Sequence, residues 1–568
     1  MNLVMGPVLG FRGQANSKWH VCAIVVTEGS GAAPALEWKA ADEVGGQVGS
    51  GRVEGGQPLK SLGARSVWRF VWSVEQGADE RTVTYSVAGA TYRFVVPAKE
   101  RSKEYTLRAA YASCNGFSSV KDMKGVRDQD ALWHVLLGQH VQPIHWEGMQ
   151  DKRRPYHLLV LGGDQLYSDE IWGQLKTLRD WNDLSEDDKG REPGRKIKKK
   201  ELRAEIEQFY FDIYCRQWSR GGMREVLASV PTLMMWDDHD IFDGWGSYGE
   251  KKQSWEVFHY IFEGAREHFC LFQLQATFDE LEKARKEKAR NGSKARFGGE
   301  GSSELPALLP GQPAFSYAYR VDDTVLVAPD MRSERTRNQV MSDGSRQALY
   351  DWMDTLKPEE CRNFILLSPI PLVYVNSNLL EGVLGWAPWQ DDPDSAWSLN
   401  DDLADQWMSR GHRVERLRLI NRLLGFADKN QCRVTVVSGD VHVGGMGRIE
   451  ARAGGGPPRE PWTINQLISS PIVHPPLQGL VLFLLEQKLD GAVEEIERGS
   501  RDITAQMVKL PTASRHLISA RNWLSLTFDY RRRIWAEWFI ENLKPAARGE
   551  AFDKLSQVIH PVDFFDKK

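Results

Sequence analysis

The chain has 568 residues, 41% of them hydrophobic and 26% charged, with 73 Lys and Arg against 77 Asp and Glu for a formal net charge of -4. At roughly 100 to 200 residues per domain, this length predicts two to four domains and excludes a disulfide-stapled miniprotein. The composition is that of a soluble globular protein, and the balanced charge gives nucleic-acid or membrane-surface binding no support.

Residues 1–13 contain no basic stretch followed by an apolar one. No secretory or twin-arginine signal is read there, and a cytoplasmic location is expected. Residues 20–27, 67–74, 82–87 and 92–96 read as short strands, while the glycine-dense stretch 29–56 reads as a loop. This pattern predicts an N-terminal antiparallel β-sandwich domain over residues 1–105. Trp68 and Trp72 are expected to pack in its core.

From residue 106 the pattern changes to apolar strands interleaved with helices, which predicts an α/β domain over 106–475. Residues 158–161, 232–236, 324–328, 364–367 and 434–437 are buried-strand candidates, each running into polar or glycine-rich residues. Sites in α/β folds are assembled at such strand ends. Two charge-rich stretches, 195–205 and 280–290, are expected to form solvated helices. His412 is expected on a solvated helix face, and the tryptophans of 386–407 are expected in the core.

Beyond Pro475 a tail carrying Trp523, Trp535 and Trp538 is expected to pack as a C-terminal helical extension over 476–568. The longest apolar run, 479–485, is far short of the roughly 20 residues that cross a bilayer, so no transmembrane segment is read. The six cysteines, Cys22, Cys114, Cys215, Cys270, Cys361 and Cys432, are scattered without a CxxC pair, as in a reducing compartment.

Four strand ends carry clusters of metal-ligand side chains. They are Ser113-Cys114-Asn115, Gly162-Gly163-Asp164-Gln165-Leu166-Tyr167, Trp236-Asp237-Asp238-His239-Asp240 and Ser438-Gly439-Asp440-Val441-His442. Each is weak alone, since a single buried Asp or His is usually structural. Together they match what a dinuclear hydrolytic site requires, a bridging carboxylate with terminal ligands from several strand ends.

The order and texture of these motifs resemble the calcineurin-like metallophosphoesterases, specifically the PhoD-like (alkaline phosphatase D) branch. ASCN, GDQLY, WDDHD and SGDVH stand where simpler relatives carry DxH, GDxxD, GNHD and GHxH. The resemblance implies a four-layer α/β/β/α sandwich and a metal-dependent phosphoric ester hydrolase acting on a small-molecule phosphoester. It makes Asp164 the bridging carboxylate, gives Cys114, Tyr167 and His442 to a first metal, and gives Asp238 and Asp440 to a second.

Thiolate and phenolate are strong anionic donors that suit a transition metal, ferric iron above all. Aspartates alone suit calcium, magnesium or manganese. The expected cofactor is therefore Fe3+ plus Ca2+, with Mn, Mg or Zn as alternatives. The resemblance further implies a hydroxide at the metals that attacks phosphorus, with His239 assisting the leaving oxygen.

Arg332 is a candidate phosphate ligand, or else a partner of Asp330; Asn115 either binds phosphate or caps a helix. Asp402 and Asp405 are candidates for metal or substrate contact, and His474 for the border of the site mouth. Phosphodiesterase or phospholipase-type activity on the same site, and a non-catalytic scaffold, are the alternative functions. The sequence does not indicate an oligomeric state.

Overall fold

The computed structural model describes residues 1–141, 155–190, 198–291, 296–298, 300, 304–309, 314–375, 405–454, 456–499, 501–511, 515–542 and 552–562. Asp402 and most of the tryptophan-rich stretch 386–407 lie outside them, while Trp407 is fully buried. Among the described residues no helix is long and apolar enough to cross a membrane.

Two large sheets and one small sheet form a mixed α/β fold. The ten-stranded sheet runs Phe552–Ile559, Ile534–Glu541, Asn522–Phe528, Leu107–Ala112, Leu158–Gly162, Thr232–Met235, Asn2–Ala15, Lys18–Glu28, Arg65–Glu75, Lys60–Leu62. Its three middle strands, Leu107–Ala112, Leu158–Gly162 and Thr232–Met235, are parallel and buried on both faces. That double burial is why they read as short continuous apolar runs.

The second sheet is built on the parallel strands Thr324–Ala328, Asn363–Ser368, Arg433–Ser438 and Thr463–Ile468. Side-chain alternation places its two faces in different cores. Ile365 and Leu367 join a core with Leu159, Leu161 and Tyr111 of the ten-stranded sheet. Phe364 and Leu366 join another with Trp352 of the helix Asp343–Asp354 and with Leu419 and Leu423 of the helix Arg413–Asn430.

Three sequence expectations are corrected. The first concerns the separateness of the N-terminal strands: the four-stranded sheet packs on Trp68 and Trp72, but the layer that carries those tryptophans is one end of the ten-stranded sheet rather than a sheet of its own. Asn2–Ala15 pairs in parallel with Thr232–Met235, Gly10 opposite Thr232, so the N-terminal strands continue the sheet that carries the central parallel strands. Asn2–Ala15 gives no alternation because it is buried on both faces through most of its length. Gly6, Pro7, Gly10 and Gly13 also interrupt its apolar run.

The stretch read as a loop contributes Ala35–Ala41 and Gln47–Glu54 to the four-stranded sheet, completed by Arg81–Val87 and Ala90–Val96. Trp72 packs against that small sheet, its ring 5.9 Å from Tyr85 and 6.0 Å from Phe94, and Trp68 is buried in the same core.

The second correction concerns the tail, where described residues beyond 475 form one helix, Gly479–Leu489, and six strands rather than a helical extension. Asn522–Phe528 extends the ten-stranded sheet by pairing antiparallel with Leu107–Ala112. Its sequence, and that of Ile534–Glu541, is rich in aromatic and branched residues, which favour strands.

The third concerns His412, which is fully buried rather than solvated. It occupies the residue before the helix Arg413–Asn430, and its Nδ1 lies 2.9 Å from Ser409 Oγ and 3.1 Å from the Gln406 carbonyl.

Candidate metal centre

The four motifs leave their strands at the carboxyl ends and meet between the two large sheets. Cys114, Asp164 and Asp238 follow the parallel strands of the first sheet, and Asp440 and His442 follow Arg433–Ser438 of the second. Cys114, Asp164, Asp440 and His442 all adopt the left-handed backbone conformation, with φ of 55°, 54°, 67° and 53°. Such conformations cost free energy and cluster at functional sites, where the surrounding structure enforces them.

Part of that enforcement is backbone hydrogen bonding, with Cys114 N donating to Gly163 O at 3.3 Å and Asn115 N to Asp164 O at 2.8 Å. Part is close approach: a Cβ at Gly439 would lie 2.1 Å from Ser113 Oγ.

Carboxylate oxygens of Asp164, Asp237, Asp238 and Asp440 lie within 4.8 Å of one another. Cys114 Sγ is 3.5 Å from Asp164 Oδ2 and 3.7 Å from the Asp440 carbonyl oxygen, and the Tyr167 hydroxyl is 3.3 Å from His442 Nε2. All six residues expected to hold metal are therefore brought together, and all are buried or nearly so. Tyr167 stacks on the rings of His239 and His474 at 4.2 and 5.4 Å, and His442 stacks on His474 at 3.9 Å.

The electrostatics are those of a cage for cations. Burial and the neighbouring aspartates push Asp164 well above the usual carboxylate range, and burial with Asp238 and Asp405 raises Asp440 to about 7. Burial and the charge of Asp164 likewise push the Cys114 thiol up. Asp164 Oδ1, Asp237 Oδ2 and Asp238 Oδ1 are buried with no hydrogen-bond partner among the described residues. Arg332 Nη2 lies 3.7 Å from Asp238 Oδ1, and three carboxylate oxygens without hydrogen bonds in one cluster are costly unless further positive charge sits among them. The donor set fits a dinuclear centre.

His239 Nδ1 lies 2.8 Å from Asp169 Oδ2, and the other oxygen of Asp169 accepts from Asp243 N at 2.7 Å. Burial by itself would lower the His239 pKa, but the charges of Asp169 and Asp238 hold it well above its ordinary value.

Arg332 is fully buried, and its guanidinium is committed to carboxylates rather than open to a substrate phosphate. Nε donates to Asp237 Oδ1 at 2.6 Å, and Nη1 and Nη2 grip the two oxygens of Asp405 at 2.9 and 2.8 Å. Asp330 accepts from the Arg332 backbone N–H at 3.0 Å and from Trp236 Nε1 at 3.1 Å, so it is not the guanidinium's partner.

Burial by itself would raise Asp405, but Arg332 and Arg335 hold it well below the carboxylate range. Asn115 caps no helix: Nδ2 donates to Gln165 O at 3.3 Å, and Oδ1 accepts from Trp133 Nε1 at 2.9 Å.

The sequence reading missed Asp169, Asp237 and Gln406, whose Nε2 donates to Asp440 Oδ2 at 2.5 Å. Asp237 was visible as half of the Asp-Asp doublet, and Asp169 as the second acid of GDQLYSD; Gln406 carries no local signal. His474, expected at the site mouth, is 2% exposed and sits inside the ring stack.

A family model described as PhoD related phosphatase matches residues 75–386 and 394–506. The uncharacterized protein YGR266W of Saccharomyces cerevisiae is 26% identical over 434 residues, covering 68% of this chain and 57% of its own length. The chain thus spans just over half of that curated relative. The solved structure of PhoD superposes with a TM-score of 0.54 at 13% identity, covering 97% of this chain and 90% of its own, a likeness of fold. A purple acid phosphatase from yellow lupin seeds, at 10% identity and covering 97% of this chain and 73% of its own, gives a TM-score of 0.46. With the family model matched along most of its length, this chain belongs to the PhoD-related phosphatases.

Proposed function

We propose that the chain is a metal-dependent phosphoric ester hydrolase whose two cations are held by Cys114, Asp164, Tyr167, Asp238, Asp440 and His442. The observation that supports this most directly is the buried carboxylate cluster with its three orphaned oxygens, set against a thiol, a phenol and an imidazole. In this reading Asp164 would serve both cations, and the thiol and phenol side would take iron while the carboxylate side would take calcium. Bound there, the cations would supply Lewis acidity for phosphorus chemistry and a nucleophile from water near neutral pH.

His239 carries the proton chemistry of the chain itself. Asp169 occupies Nδ1, which leaves Nε2 as the nitrogen that gives a proton to the departing oxygen. Arg332 acts one step back, neutralising Asp237 and Asp405 so that the charge of the remaining carboxylates is directed at the cations. Asn115 shapes the floor between Gln165 and Trp133. The two large sheets with their flanking helices are read as the four-layer sandwich of this family.

Elemental analysis of protein purified without added metal, paired on one sample with hydrolysis of a chromogenic phosphomonoester and its diester analogue, tests the proposal. Iron with calcium and measurable turnover is the expected result. Zinc alone in both sites would remove the mixed-metal reading, and absence of turnover after both metals are supplied would remove the hydrolase.

A further inference from the structure

The segment from Ser469 to Leu477 touches both sides of the metal centre. Ile472 N donates to Ser113 O at 3.0 Å, Val473 N and His474 N both donate to Cys114 O at 3.2 Å, and Leu477 N donates to His442 O at 3.0 Å. Within it, Ser470 is fully buried and its hydroxyl donates to Cys114 Sγ at 3.0 Å.

The main chain that carries that hydroxyl is held from the far side by Asn522, at the start of the strand Asn522–Phe528. Asn522 Nδ2 donates to Ser470 O at 2.7 Å, its backbone N–H donates to Pro471 O at 2.8 Å, and its Oδ1 accepts from Ser469 Oγ at 2.8 Å. These bonds fix the backbone from which Ser470 presents its buried hydroxyl to the sulfur.

We propose that Ser470, fixed by Asn522, is a positioning residue that tunes the donor strength of the Cys114 thiolate toward the metal. The inference rests on the reading of Cys114 as a ligand and adds the group that controls it. An O–H donor on a thiolate draws electron density from sulfur, so the sulfur gives less to the metal; hydrogen bonds of this kind set the electronic character of thiolate sites. The placement also gives the C-terminal strands a part in the site. The strand that extends the ten-stranded sheet past Leu107–Ala112 carries the asparagine that fixes the serine.

The test uses the full chain, stripped of metal and loaded with cobalt(II) alone, read by the sulfur-to-cobalt charge-transfer absorption. The wild type shows the band and Cys114→Ser abolishes it. Ser470→Ala moves the band to longer wavelength, because a sulfur relieved of its hydrogen bond donates more readily, while Ser470→Thr, which keeps the hydroxyl, holds it near the wild-type position. Asn522→Ala moves it in the same direction as Ser470→Ala and serves as the second variant if the alanine at 470 does not fold.

A band present in the wild type and unmoved in both Ser470→Ala and Asn522→Ala overturns the positioning role while leaving Cys114 a ligand. Equal shifts in Ser470→Ala and Ser470→Thr overturn it as well, because packing rather than the hydroxyl would then be responsible. A wild type without the band, however much cobalt it binds, overturns the ligand reading of Cys114 and this inference with it.

Discussion

Asp169 Oδ2 and His239 Nδ1 lie 2.8 Å apart, both largely buried, with the His239 ring stacked on Tyr167 at 4.2 Å. The carboxylate faces Nδ1, and the stack sets the ring plane. The orientation of the imidazole is thus fixed by Asp169 on its edge and Tyr167 on its face.

The first prediction follows from that pair. His239→Ala is expected to keep its metal and lose turnover by about 100- to 10,000-fold. Asp169→Asn is expected to lose about 100-fold because the charge that holds the His239 proton is gone, again with metal retained. Steady-state rates with metal content measured on the same preparations check both, and an unchanged rate in His239→Ala would remove it from the mechanism.

The second concerns Arg332, which is gripped by Asp237 and Asp405 with no exposed surface. Arg332→Leu leaves the buried Asp237 without its cation, while Asp405 keeps Arg335, and is expected to destabilise the protein by about 3–5 kcal/mol. Adding Asp237→Asn should recover part of that loss. Urea midpoints of the single and double variants decide the matter.

A third prediction tests the close approach of the two sheets at the site. Gly439→Ala places a methyl 2.1 Å from Ser113 Oγ and 2.5 Å from its Cβ, so the SGD and SCN turns must separate. A loss of about 1–3 kcal/mol in stability is expected, together with weaker metal binding. Thermal unfolding with and without added metal measures both.

Metal removal gives a fourth. In the metal-free protein burial and the charge of Asp238 push the Asp440 carboxyl up to about 7, far above the usual carboxylate range. The folded state then holds a proton that the unfolded state has released. Stability of the metal-free protein therefore falls as pH rises from about 4 through about 7, and is lowest above that. Cations between the carboxylates remove the penalty, so urea midpoints at pH 5 and pH 8 should differ strongly in the chelated protein and little in the loaded one.

The sequence was most legible where local pattern and chemistry coincide. Residues 158–161, 232–236 and 434–437 are compact apolar runs ending in Asp and Gly, and they are the strands Leu158–Gly162, Thr232–Met235 and Arg433–Ser438 that deliver Asp164, Asp238 and Asp440. The hairpin of Asn522–Phe528 and Ile534–Glu541 carries aromatic and branched residues that favour strands, but its tryptophans without strict alternation read equally as helix packing. Asn2–Ala15 gave no usable pattern, because a strand covered on both faces does not alternate.

The sequence by itself determined the four motifs, their order, and the donor types that suit cations, because those properties belong to residues a few positions apart. The tertiary structure alone decided what the remaining groups do. Arg332 faces Asp237 and Asp405 across 95 and 73 residues of chain, and Ser470 reaches Cys114 across 356. Whether a buried guanidinium is open to a substrate or consumed by carboxylates depends on which distant strand ends are packed against it, and local pattern carries no record of that.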